Sequence, residues 1–343
     1  LSESPVKAGV IYAGTDDGFI NITDNDGSSW KSIEVKKLPG VPATAYVNDI
    51  KADNFDVNKV YAVLDNHKYG DYQPYIYTSN DKGKTWKSIT SNLPDRTLTW
   101  RIVQDHVEKN LFFAATEYGI YFSVNSGKSW SKLNGGVPTI SFRDLAIHKR
   151  ENDLVGASFG RGFYVFDDIS VFRELSNSQM NNKATLFSVR KAWWYIARPY
   201  LGFNDPWNGH KGSQGDSYFV APNPPFGAVF TYHLSESLVT QKDSRSKIEE
   251  ASIKKGKAVG FPGWKIVESE RREVDPKVII EVKDKNGDVV RRLEGPISKG
   301  FHRVAWDLRY PSPNSILEGA ASVNVSGFLA PPGEYTVTLY TKV

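Results

Sequence analysis

Asp49, Arg101, Arg143 and Asp144 stand at or near the starts of three short apolar runs, residues 47–52, 101–105 and 144–148. Two carboxylates held about 5 to 9.5 Å apart can cleave a glycosidic bond, one as acid and the other as nucleophile or base. Asp49 and Asp144 are the nearest such pair in the chain, and Arg101 and Arg143 complete a polar lining in which a ligand could bind. The same four residues also fit a structural role, as ion pairs or strand-end hydrogen bonds, and the sequence leaves both open. Asp16, Asp17 and Glu117 fall between predicted strands and read as turn residues. Cofactor and metal chemistry is not expected. The six histidines are scattered without ligand spacing, and there is no phosphate loop, nucleophile elbow or dinucleotide fingerprint. The stretch Asp24-Asn25-Asp26-Gly27 lacks a carboxylate at the twelfth position of a calcium loop, where Val35 stands.

The elements that would position these side chains announce themselves through a repeat. Residues 79–86 read Ser-Asn-Asp-Lys-Gly-Lys-Thr-Trp, with near-copies at 23–30 and 123–130, giving the pattern S/T-x-D/N-x-G-x-S/T-W three times. Asn25, Asp81 and Asn125 can accept hydrogen bonds from backbone N–H groups ahead of them, as in Asx-turns. Gly27, Gly83 and Gly127 supply a positive φ. Trp30, Trp86 and Trp130 are large enough to pin each turn against its sheet. Around each turn the sequence predicts four strands. The first strands are 47–52, 101–105 and 144–148, and the second are 10–14, 60–64, 111–116 and 154–158. The third are 19–23, 75–79, 120–123 and 163–167, and the fourth begin at each Trp. The Trp-to-Trp spacings of 56 and 44 residues suit one four-stranded blade per repeat, with an insertion at 66–73 lengthening the second unit.

The pattern resembles the Asp-box, or BNR repeat, of β-propellers that include sialidases, two-propeller xyloglucanases and sortilin-type receptors. The stretch Ser158-Phe159-Gly160-Arg161-Gly162-Phe163 through Asp167-Asp168 is similar to the end of the last blade in large bacterial BNR-repeat proteins described as sortilin-like or as glycosyl hydrolases, with Phe159 where that family has His. The likeness continues at 221–228 and 303–309. It implies a partial propeller of about four blades, belonging to a larger one, followed by a second all-β domain. A sialidase would need an arginine triad and a Tyr/Glu nucleophile pair, which Arg101 and Arg143 do not make up. The first unit reads as starting at its second strand, so the remaining blades are expected in an N-terminal remainder of the same protein.

The predicted division is 1–175 for the propeller blades, 176–221 for an aromatic-rich linker and 222–343 for an immunoglobulin-like β-sandwich, with a helical insertion at about 237–274. Sandwich strands are predicted at 228–234, 278–283, 289–293, 301–308 and 335–340, with Asn286-Gly287 marking a hairpin. Trp193 and Trp194 in the linker could stack on a sugar, grip a partner chain or join the two domains. With no cysteine, disulfides and thiolate metal sites are excluded. A net charge of +4 without a basic stripe argues against nucleic acid, and no apolar run is long enough to span a membrane. Two functions remain. One is a secreted or cell-envelope binding or scaffolding protein of a bacterium, recognising a protein or glycan; the other is a glycoside hydrolase using paired channel carboxylates.

Overall fold

The computed structural model describes residues 1–195, 224–312 and 327–342; the aromatic stretch 200–207 and residues 221–223 lie outside them. The chain divides into two compact units, Leu1–Leu175 and Ser176–Val343.

The first unit is a run of antiparallel meanders. A first sheet contains β1 (Ser2–Glu3), β2 (Ile11–Gly14), β3 (Phe19–Thr23) and β4 (Lys31–Glu34). The second contains β5 (Tyr46–Ala52), β6 (Val60–Asn66), β7 (Asp71–Ser79) and β8 (Lys87–Ser88). The third contains β9 (Thr99–Gln104), β10 (Phe112–Thr116), β11 (Gly119–Ser123) and β12 (Ser131–Lys132). The fourth has three strands, β13 (Phe142–His148), β14 (Asp153–Ser158) and β15 (Phe163–Phe166). Strands pair in chain order within every sheet, consecutive sheets pack on one another, and β5, β9 and β13 are neighbours. This is the blade arrangement of part of a β-propeller. One expectation is corrected: the first sheet does have a first strand, β1, paired Ser2↔Tyr12 and Glu3↔Ile11. Two residues are too few to leave an alternating pattern in the sequence.

Sheet stacking explains why β6 is apolar from Val60 to Leu64. Successive side chains of a strand point to opposite faces, and both faces of this sheet are covered. Val60, Ala62 and Leu64 enter the cluster shared with the first sheet, whereas Tyr61 and Val63 enter the one shared with the third.

The three repeated turns are superimposable in their bonding. In the second, Ser79 Oγ accepts from Gly83 N at 2.7 Å and donates to Asp81 Oδ1, which also accepts from Thr85 N at 2.9 Å. Thr23 with Asn25, and Ser123 with Asn125, make the same bonds. Each glycine and the residue before it have positive φ (Asp26 and Gly27, Lys82 and Gly83, Ser126 and Gly127), as a type I′ turn requires. The second and third turns also latch onto the preceding sheet. A Cβ on Gly83 would meet Ile22 at 2.3 Å, and one on Gly127 would meet Ile89 at 2.9 Å. Trp130 donates its indole N–H to Ile89 O at 2.8 Å.

Asp81 is charged where its two counterparts are Asn, and one bond is reversed: Thr85 Oγ1 donates to Asp81 Oδ2, whereas Asn25 and Asn125 donate through Nδ2 to Ser29 and Ser129. Hydrogen bonds from the Thr85 side chain and backbone hold its carboxyl at about 2. A carboxylate whose pKa is depressed on folding stabilises the fold above its unfolded value and loses that contribution as pH falls through the folded one. Asp81→Asn is therefore expected to change the melting temperature little at neutral pH, within about 0.5 kcal/mol of stability. It should melt less acid-sensitively than the parent between about pH 4 and pH 2. Thermal melts of both proteins across that range check this.

The second unit contains two three-stranded antiparallel sheets. One is ordered β16 (Ala184–Leu186), β17 (Ala228–Leu234), β20 (Gly300–Trp306); the other is β19 (Val289–Gly295), β18 (Lys277–Lys283), β21 (Thr336–Lys342). Phe230 and Tyr232 from one sheet and Val278, Ile280 and Val282 from the other enter a single buried cluster with Trp306. Part of the segment read as linker is thus an element of this unit: α1 (Asn177–Asn181) precedes β16, which pairs with β17. The insertion folds as α2 (Gln241–Lys254) and α3 (Trp264–Arg271). Thr240 caps α2 by accepting from Asp243 N at 2.9 Å, and Arg245 joins the helices through Glu270 at 2.6 Å.

Candidate functional site

Each of β5, β9 and β13 carries a register shift near its start, which leaves Asn48, Trp100 and Arg143 as the extra residues opposite the second strand. Bulges of this kind re-aim side chains and collect near functional sites. The residue after each bulge is Asp49, Arg101 or Asp144, and because these strands are neighbours the three side chains meet. Arg101 donates through Nη1 to Asp49 Oδ1 at 2.8 Å, and its Nε lies 3.1 Å from Asp144 Oδ1. Asp49 is buried and also accepts from Ile102 N at 3.3 Å; the Asp144 side chain is 56% exposed. Burial pulls the Arg101 pKa down, but Asp49 and then Asp144 outweigh it and hold the guanidinium above its ordinary value. The two acids predicted as a hydrolytic pair are therefore tied to one permanently charged arginine.

The bulged residues build a second cluster beside this triad. The Arg143 guanidinium lies 3.5 Å from the Trp100 ring centroid and 4.8 Å from that of Phe159, a stacked cation–π arrangement. Glu117, read from sequence as a turn residue, accepts from Trp100 Nε1 at 3.1 Å and from Ser141 Oγ at 2.9 Å. Its Oε2 is 3.9 Å from Arg143 Nη2, beyond hydrogen-bonding distance. His67 meets Trp100 edge-on at 5.7 Å and contacts buried Asp65 at 2.8 Å. Tyr46 donates to Asp65 at 2.6 Å, and burial together with that carboxylate pushes its phenol well up. A cavity of about 190 Å³ opens between His67, Tyr72, Arg96, Trp100, Glu117 and Arg143. Arg96, held at φ 62°, lies 5.2 Å over the Tyr72 ring. Two buried donors here and at the neighbouring bulge, Arg143 Nε and Asn48 Nδ2, have no acceptor among the described residues.

Of the predicted site residues, then, Asp49, Arg101 and Asp144 come together, while Arg143 turns to Trp100. Trp193 and Trp194 belong to the second unit. The turn residues Asn25, Gly27, Trp30, Asp81, Gly83, Trp86, Asn125, Gly127 and Trp130 lie between the third and fourth strands, each Trp immediately before the fourth. Sequence reasoning missed Trp100, His67 and Asp65. One signal was available: the pairs Asn48-Asp49, Trp100-Arg101 and Arg143-Asp144 recur at the same place in each repeat. Among the described residues no group of His, Asp and Glu is arranged to hold a metal ion, and no helix is long and apolar enough to cross a membrane.

No family model matches the chain, and no curated protein matches it. Solved structures similar to parts of it include YCF48 bound to D1 peptide, at 17% identity and TM-score 0.36, covering 49% of this chain and 50% of that one. An ancestral GH74 enzyme is similar at 19% identity and TM-score 0.37, covering 46% of this chain and 21% of that one. The GH74 xyloglucanase from Xanthomonas campestris is similar at 13% identity and TM-score 0.40, covering 67% of this chain and 33% of that one. The chain thus spans half or less of the length of these proteins.

Proposed function

We propose that this chain belongs to an exported Asp-box propeller protein of the bacterial cell envelope, sortilin-like in type, that binds or scaffolds a protein or glycan partner at the starting ends of β5, β9 and β13. The observation that carries this reading is the division of labour between two arginines. Arg101 pairs with both acids of the triad, giving each carboxylate a fixed cationic partner within the protein. Arg143 lies over the Trp100 ring with its side chain 38% exposed, which suits capture of a carbonyl or an anionic oxygen. The second unit is read as an immunoglobulin-like sandwich that orients the propeller.

Further sheets of the same protein are proposed as partners within the propeller. Phe163 and Val165 of β15 are 79% and 57% exposed on one face, where the three earlier sheets are covered by a successor. Trp30 at the other end is 47% exposed.

Arrays of envelope glycans and of peptides, probed with the full protein and with Arg143→Ala, test the binding reading. The expected result is one ligand class retained by the parent and weakened about tenfold or more by the substitution, as loss of a central arginine anchor typically gives. Release of reducing sugar by the parent, abolished by Asp49→Asn, would sink it in favour of the hydrolase.

A further inference from the structure

We infer that the second unit carries its own binding site for an acidic polysaccharide, in a cleft of about 870 Å³ built around Trp193, Trp194 and Tyr335. This site is independent of the arginines of the first unit, and names both a place and a ligand chemistry.

Two aromatic side chains of the cleft, Trp194 and Tyr335, are fixed, and Trp193 stands exposed beside them. Trp193 and Trp194 are 67% and 45% exposed. Trp194 is anchored by its indole N–H, which donates to Ala330 O at 2.9 Å. Tyr335 donates to Pro331 O at 2.6 Å and meets Trp306 edge-on at 5.2 Å; Trp306 is buried, with its own N–H on Arg309 O at 2.9 Å. Large rings held this way lose little conformational freedom when a ligand covers them. Their electron-rich faces attract the weakly positive C–H face of a pyranose ring. The volume lies toward the upper end of small-ligand sites and admits more than one ring.

Charge selects the class of sugar. The charged lining is Arg190, Lys191 and Lys285 against Glu334. Among the described residues, Lys191 and Lys285 have no carboxylate within ion-pair distance. Lys285 sits on the β18–β19 hairpin, whose tight turn is set by Gly287 at φ 89° and by Asp284, which accepts from Asn286 N at 2.9 Å. A rigid aromatic floor with cations on its rim fits a polymer that presents a carbohydrate face and a repeating carboxylate. A neutral glucan would leave the lysines unanswered, and a proline-rich peptide would not use them.

Affinity electrophoresis of the full chain through gels containing polygalacturonate or dextran tests the proposal, with a proline-rich peptide titrated separately. Variants are Trp193→Ala, the pair Lys191→Gln and Lys285→Gln, and Arg143→Ala; all change exposed or half-buried side chains, and their melts are compared with the parent. The expected result is retardation by polygalacturonate and not by dextran. Trp193→Ala and the lysine pair should each weaken it about tenfold, while Arg143→Ala leaves it unchanged. Equal retardation by dextran, retardation that Trp193→Ala does not alter, binding of the peptide alone, or no retardation at all would each overturn it. Because Arg143→Ala reports on the first unit, failure here is distinguishable from failure of the function proposed above.

Discussion

Trp130→Ala is expected to destabilise the first unit by about 3–5 kcal/mol, and Trp30→Ala by less than about 1 kcal/mol, although the two residues occupy the same place in the repeat. Trp130 is 3% exposed and lies in the cluster with Ile89, Ile102 and Phe112. Its indole N–H donates to Ile89 O, and Asn92 brackets its backbone, accepting from Trp130 N at 2.7 Å and donating to Trp130 O at 2.9 Å. Truncation therefore leaves a cavity between two sheets and strips Ile89 O of its donor. Trp30 is 47% exposed among the described residues, and its ring covers its own turn, the nearest atom 3.5 Å from the position a Cβ on Gly27 would take. Urea unfolding followed by far-ultraviolet circular dichroism measures both. Equal losses would mean that the tryptophans act on their own turns and not between sheets.

Asp105→Ala is expected to cost about 3–5 kcal/mol, the usual effect of removing one partner of a buried ion pair. Asp105 is fully buried and takes two hydrogen bonds from Arg173, at 3.0 and 2.9 Å, and two more from Val107 N and Glu108 N. Loss of the carboxylate leaves the guanidinium, only 16% exposed, with the neutral Asn152 Oδ1 at 2.7 Å in place of its counter-charge, and opens the turn between β9 and β10. Burial pushes the Asp105 pKa up, but the Arg173 and backbone hydrogen bonds prevail and hold it below the ordinary aspartate value. The folded pKa being the lower one, its stabilisation is full at neutral pH and is lost on acidification below the usual aspartate range. The parent should therefore lose stability there more steeply than Asp105→Ala does. Parallel slopes in a series of melts from neutral to acidic pH would show that Asp105 is not the group responsible.

What could be read beforehand was whatever is local in the chain. The three turns were legible because Ser79, Asp81, Gly83 and Trp86 close a single bonded loop within eight residues. The strands were legible because one or both faces are apolar. The site was legible only in its charges. Asp49 and Asp144 stood out as acids, but what decides their chemistry is Arg101, which lies 52 residues from one and 43 from the other. The pocket escaped because bulges at Trp100 and Arg143 are products of sheet pairing, and because His67 and Glu117 arrive from hairpins of two different sheets.

The latching of the second and third repeated turns onto the sheet before each also gives the first unit a direction in time. Ile22 and Ile33 are made before Gly83, and Ile89 before Gly127 and Trp130, so the receiving surface always leaves the ribosome ahead of the turn that fills it. At synthesis rates of about 5–20 residues per second, several seconds separate one sheet from the next, far longer than the microseconds a hairpin needs to form. Each sheet can therefore settle on a finished neighbour as it emerges, and the order of the repeats along the gene becomes the order of assembly.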